Sequence, residues 1–187
     1  MQSGKKILSI NKQRLPPAEC LRLLSMRTPQ DRTLLMLTIG NNAPKLTIPT
    51  DDGHFSIAEQ GGKNVVIFFF PRADTSGCTK EAIRFSELLD DFTAANTIVI
   101  GVSKDSVTKQ AKFRAKHGLT CLLGADEQTD MCEQFGVWVE KSMYGKRYMG
   151  IQRATFLLDP NGSIAKVWPK VKVDGHADAV LDAVKAS

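Results

Sequence analysis

Long apolar runs are missing from this chain. None approaches the roughly 20 residues that a membrane-spanning helix needs, so no membrane partner is expected. Cysteine is scarce, four in 187 residues, and never spaced Cys-x-x-Cys. That argues against a disulfide scaffold and a structural zinc site, and favours a reducing, cytoplasmic setting. Histidine is rarer still. His54, His117 and His176 fall singly at a turn, a helix end and a helix start, are read as solvated or capping groups, and suggest no metal site. Net charge is absent from most of the chain: residues 1–35 carry seven basic and two acidic side chains, the whole of the +5 excess. From Met36 onward the balance is neutral, which gives no electrostatic case for nucleic acid. Length suits one domain with a full core.

What is present centres on Val65 to Glu81. Val65-Val66-Ile67-Phe68-Phe69-Phe70 reads as a strand buried on both faces. Pro71 ends it, and Asp74, Ser76 and Gly77 form a turn. From Thr79 the pattern becomes helical, with Ile83, Leu88, Leu89 and Phe92 facing inward. Cys78 therefore sits where a strand hands over to a helix. The unpaired N–H groups and positive dipole end of a first helical turn stabilise an anion, so a thiolate nucleophile is favoured at such a place. On local physics alone, a small buried hydrophobe is an equally good reading of Cys78.

The spacing Pro71-x-x-x-Thr75-x-x-Cys78 resembles the active-site signature of the peroxiredoxins. Phe69 to Ala82 is similar to the branch called bacterioferritin comigratory protein, or peroxiredoxin Q. Further similar segments follow in order: Ile100 to Ser106, Lys116 to Leu119, Phe135 to Trp138, Tyr144 to Phe156 and Ile164 to His176. The likeness runs from Met36 to the C-terminus. It implies an α/β, thioredoxin-like fold, a central mixed sheet flanked by helices, with an N-terminal β-hairpin. The order of elements agrees: two short strands around Asp51-Asp52-Gly53, strand and helix about Cys78, a strand over 97–103 and a helix over 105–117 stopped by Gly118. A brief strand at 121–123 and a short helix at 129–135 come next. Lys141 to Gly150 reads as a polar, glycine-punctuated loop. Two strands follow about the turn Asp159-Pro160-Asn161-Gly162, and a helix over 174–186 closes the chain.

The resemblance also implies the chemistry, reduction of hydrogen peroxide and organic hydroperoxides through a sulfenic acid on Cys78. By that resemblance the Thr75 hydroxyl and the N–H groups near Gly77 and Cys78 hold the peroxide, Pro71 shields the sulfur, and Arg153 supplies the guanidinium beside it. Glu81, one turn after Cys78, either orients that arginine or merely suits a first helical turn. Two positions depart from the pattern. Ser76 replaces the usual proline and is read as a possible helix cap. Ile83 stands where many members carry a second cysteine, and the other resolving position, near Arg114 and Ala115, is not cysteine either. Cys121 and Cys132 remain as resolving candidates only if a sulfur comes within disulfide reach of Cys78.

The reading is thus a one-cysteine peroxidase without a cofactor, recycled by thioredoxin, glutaredoxin or glutathione, and a monomer. The alternative is a chaperone-like or redox-signalling binding protein. Residues 1–35 have no counterpart in the usual form of the family and are read as a basic extension, disordered, functional, or an over-long start before Met36. Residues 36–187 form the catalytic domain, and Cys20 is given no role.

Overall fold

The computed structural model describes residues 35–187, so the sequence reading of the extension, Cys20 included, lies outside the described residues. The first described strands are an antiparallel pair, β1 (Thr47–Thr50) and β2 (Gly53–Ser56), turned at Asp51-Asp52. β3 (Asn64–Phe69) leads into helix α1 (Ser76–Glu87) and a short α2 (Leu89–Ala94). Then come β4 (Thr97–Ser103), α3 (Val107–His117), β5 (Leu122–Ala125) and a one-turn α4 (Met131–Gln134). The hairpin β6 (Trp138–Met143) and β7 (Lys146–Ile151) precedes β8 (Ala154–Leu158), β9 (Ile164–Trp168) and α5 (His176–Lys185).

Seven strands make one sheet in the order β2-β1-β5-β4-β3-β8-β9. β3, β4 and β5 run parallel, and β8 joins β3 antiparallel, with Phe69 opposite Ala154. This is the mixed, thioredoxin-like sheet that the order of elements implies.

The apolar run of β3 is continuous because both of its faces are covered. Val66, Phe68 and Phe70 face one core, filled by Ala82, Phe85 and Leu88 of the Cys78 helix region, Phe92 of α2, and Val180 and Leu181 of α5. Val65, Ile67 and Phe69 face a second core with Phe135, Val137, Phe156 and Ile48. Phe68 stacks on Phe85 at 4.4 Å between ring centroids. On β4 the partner of Phe68 is Gly101, and a β-carbon there would come within 2.4 Å of the Phe68 ring. Glycine is what lets that ring lie flat against the neighbouring strand.

Two local readings need correction. The helical pattern after Cys78 is not one helix: it breaks at Leu88, where α1 hands over to α2. Lys141 to Gly150 is not a loop but most of the β6–β7 hairpin, paired from Trp138↔Ile151 to Met143↔Lys146. Tyr144 and Gly145 form its two-residue turn, both at positive φ (52° and 76°). That is the geometry of a type I′ turn, whose twist matches the strands it joins.

Candidate active site

β3 and α1 place Cys78 through a short, well-tethered connection. After Phe70 and the exposed Pro71, the Ala73 N–H donates to the Asp105 carboxylate at 2.6 Å. Asp105 also accepts from the Ser103 hydroxyl and pairs with Lys109. Asp74 takes the left-handed conformation (φ 63°) and binds Lys116 and His117 at the end of α3, each at 2.7 Å. Those contacts hold the Asp74 carboxyl below its ordinary value, the His117 bond contributing most. Ala73 and Asp74 are thus fastened to the segment between β4 and α3 and to the end of α3.

Thr75 is the residue before the helix, in extended conformation, and Thr79 N–H donating to Thr75 O closes the first helical turn at 2.8 Å. Ser76 is the first helical residue and caps nothing, which corrects its reading as a cap; no side chain caps this helix. Cys78 stands in that uncapped first turn, and its side chain is buried, 1% exposed. The Thr75 hydroxyl is exposed and donates to the Arg72 carbonyl at 3.1 Å.

Arg153, the residue just before β8, reaches across to this turn. Its Nη2 donates to Cys78 Sγ at 3.1 Å, and its Nη1 binds the Glu81 carboxylate. Pairing of β8 with β3 sets this approach, because Ala154 lies opposite Phe69. The guanidinium packs beside Gly77, with Nη2 3.6 Å from where a β-carbon would stand. Glu81 is 1% exposed, and its second oxygen has no partner. Burial pushes its carboxyl up to about 7, against the pull of Arg153. The geometry places the Glu81 carboxylate on Arg153.

Two residues near Arg153 have surroundings that the sequence does not announce. Lys141 on β6 is half-buried and donates to the Ile151 carbonyl at 2.5 Å. Burial holds its ammonium below the ordinary lysine value; Arg153 acts the same way and Cys78 opposes both. His176 is not solvated, as a helix-start histidine was expected to be. It is buried, shares a 2.8 Å hydrogen bond with Thr155, and meets Phe85 and Trp168 edge to face. Burial, then the nearby Arg153 charge, brings its imidazole down to about 4. The burial arises from residues distant in the chain, so no local pattern announces it. Of the other histidines, His54 is exposed, 3.9 Å from Glu59. Among the described residues no three His, Cys, Asp or Glu side chains converge as metal ligands.

The remaining described cysteines separate by sheet face. Cys121 shares the core of Cys78, its sulfur 3.9 Å from the Ala82 carbonyl of α1. Cys132 belongs to the core on the other face. Burial raises both thiols, Cys121 to about 11, and Asp126 raises Cys132 further. Arg114, near the other resolving position that the resemblance implies, makes a two-pronged ion pair with Asp51.

Residues 39–167 match the AhpC/TSA family. A putative peroxiredoxin bcp of Coxiella burnetii is 45% identical over 148 residues, covering 79% of this chain and 98% of its own. Peroxiredoxin Bcp of Bacillus subtilis is 40% identical over 152 residues, covering 81% and 97%. Among solved structures, peroxiredoxin Q of Xanthomonas campestris superimposes with a TM-score of 0.74 at 41% identity, over 81% of this chain and 97% of that one. A bacterioferritin comigratory protein of the same organism, studied for its alkyl peroxide reduction activity, gives 0.74 at 40% identity, covering 81% and 98%.

Proposed function

We infer the reaction from one premise: this chain belongs to the AhpC/TSA family, as a peroxiredoxin of the bacterioferritin comigratory protein, or peroxiredoxin Q, branch. It is a thiol peroxidase. Cys78 attacks one oxygen of a hydroperoxide as the thiolate; an S–O bond forms, the O–O bond breaks, and the leaving oxygen takes a proton and departs as water or alcohol. The observation that carries this is the Arg153 guanidinium, 3.1 Å from the Cys78 sulfur and held on its other side by buried Glu81. A fixed cation at the sulfur meets the charge that passes to the O–O bond as it breaks, without reorganising.

Thr75 and the first-turn N–H groups at Gly77 and Cys78 are assigned to the peroxide. The Thr75 hydroxyl would leave the Arg72 carbonyl or bridge to the substrate from it. Pro71 borders the same turn as a shield. The substrates are hydrogen peroxide and organic hydroperoxides.

The cycle uses one cysteine. Cys132 is on the wrong face of the sheet, and Cys121 is packed against α1 with a thiol that burial keeps protonated. An external thiol such as glutathione, glutaredoxin or thioredoxin then attacks the sulfenic acid, releasing water and leaving a mixed disulfide that a second thiol resolves. A monomer working in the cytoplasm, with its catalytic domain in residues 36–187, completes the reading.

Intact mass after one equivalent of peroxide, without added thiol, tests it on wild type and Cys78→Ser. One added oxygen, trapped as sulfenic acid and lost in the variant, is expected. Loss of two hydrogens would replace the one-cysteine cycle with a disulfide. No change in either protein would remove the peroxidase assignment and favour a binding protein.

A further inference from the structure

The β6–β7 hairpin stands apart from the seven-stranded sheet, and its exposed surface is unlike the rest of the molecule. The large hydrophobic residues exposed among the described residues are Leu35, Ile39, Val107 and four on this hairpin, Met143, Tyr144, Tyr148 and Met149. Tyr144 at the tip is 96% exposed. Apolar side chains gathered on one projecting element mark an interaction surface, and Tyr, Met and Arg are the residue types that interfaces favour.

One face of the hairpin is continuous with the site. Register places Lys141 opposite Tyr148 and Met143 opposite Lys146, which puts these four side chains on the same face. Gly150 allows the Tyr148 ring and the Lys141 stem to lie together over the backbone, at 3.3 and 3.4 Å from where its β-carbon would be. The Lys141 ammonium ends on the Ile151 carbonyl, two residues before Arg153, within the field of Arg153 and Cys78. The surface therefore runs from the catalytic guanidinium out to the tip. Its charge is positive, since among the described residues neither Lys141 nor Lys146 has a carboxylate partner; Glu140 and Arg147, which pair at 3.3 Å, lie on the opposite face.

We propose that this face of the hairpin, from Lys141 through Tyr148 and Met143 to Tyr144, docks a protein thiol reductant whose reactive thiol is bordered by acidic side chains. The proposal rests on the external-thiol reading above. A small thiol could reach the sulfenic acid but has no use for an exposed tyrosine–methionine face, whereas a protein docking there would bring its thiolate to Cys78. That thiolate attacks the Cys78 sulfur, displacing water; a second thiol of the reductant then attacks its own sulfur in the mixed disulfide, which frees Cys78 as thiolate and leaves the reductant oxidised.

The test uses the full chain, with a Met143→Ser/Tyr144→Asn variant and a Lys146→Glu variant. Asparagine suits the positive φ at position 144, so the turn is kept. Three rates are measured: single-turnover oxidation of Cys78 by hydrogen peroxide, recycling by dithiothreitol, and recycling by reduced thioredoxin or by glutaredoxin with glutathione. The expected result is a tenfold or larger rise in KM for the protein reductant in both variants. Salt dependence should weaken in the second, and oxidation and dithiothreitol recycling should stay within twofold of wild type. Unchanged protein recycling overturns the proposal, as does an equal fall with every reductant. Wild type recycled by dithiothreitol or glutathione but by neither protein overturns it while the peroxidase reading stands. Failure of Cys78 to gain oxygen sinks that reading instead. Conversion of a dimer to a monomer in the first variant would assign the face to a second copy of this chain.

Discussion

At the scale of single residues the site is a contest between burial and charge around Arg153. Removing the guanidinium with Arg153→Met should slow peroxide attack by about 10²- to 10³-fold, the usual cost of one preorganised charge-stabilising donor. Stopped-flow oxidation of Cys78 reads this directly. Arg153→Lys should recover only part of the loss, because a point charge cannot bond Cys78 and Glu81 at once.

Glu81 and His176 make opposite demands on pH. The folded protein holds the Glu81 proton up to about 7 against an ordinary 4.5, so folding binds protons in that window and this contribution fades as pH rises through it. His176 is held at about 4 against 6.5, so the unfolded chain binds the extra proton and stability falls as pH drops from 6.5 toward 4. The two slopes offset between about 4.5 and 6.5. Urea unfolding of Glu81→Gln across that window should expose the histidine slope, on the order of 2 kcal/mol lost on acidification. His176→Gln should show stability falling as pH rises instead. Parallel curves for the two variants would refute the assignment.

At the scale of elements, β3 and the hairpin show opposite kinds of legibility. The apolar run Val65 to Phe70 names a doubly buried strand because both its faces are needed for a core. The β6–β7 hairpin is nearly mute, since Glu140, Lys141, Ser142, Lys146 and Arg147 look like loop, and Tyr144 is an unusual choice for the first turn position. Tyr144→Asn should therefore stabilise the hairpin by a few tenths to about 1 kcal/mol, seen as slower amide exchange along it. In the sheet, Gly101→Ala would drive a methyl into the Phe68 ring. That ring is fully buried and stacked on Phe85, so a loss of about 1–3 kcal/mol in urea unfolding is expected.

At the scale of the molecule, the sheet separates its thiols. Because Cys78 and Cys132 lie in cores on opposite faces, Cys132→Ala should leave the sulfenic acid yield unchanged. Cys121→Ala should do the same in the reading proposed above, and a fall in disulfide product in that variant alone would make Cys121 the resolving residue. Likeness to the family singles out Cys78, Thr75 and Arg153 in the sequence, and the geometry puts Arg153 on the cysteine. Lys141 and His176 were invisible because their surroundings are assembled from distant segments: Lys141 from strand register, His176 from Phe85, Thr155 and Trp168.

The bond from Arg153 to Cys78 spans 75 positions along the chain. A ribosome delivers the thiol long before it delivers the guanidinium, and the strand that carries the arginine into place, β8, is among the last to be made. Until β8 pairs with β3 the cysteine lacks the Arg153 guanidinium. A nascent or C-terminally truncated chain is thus a poor target for the oxidant its finished form consumes, and chemical vigour arrives only with completed folding.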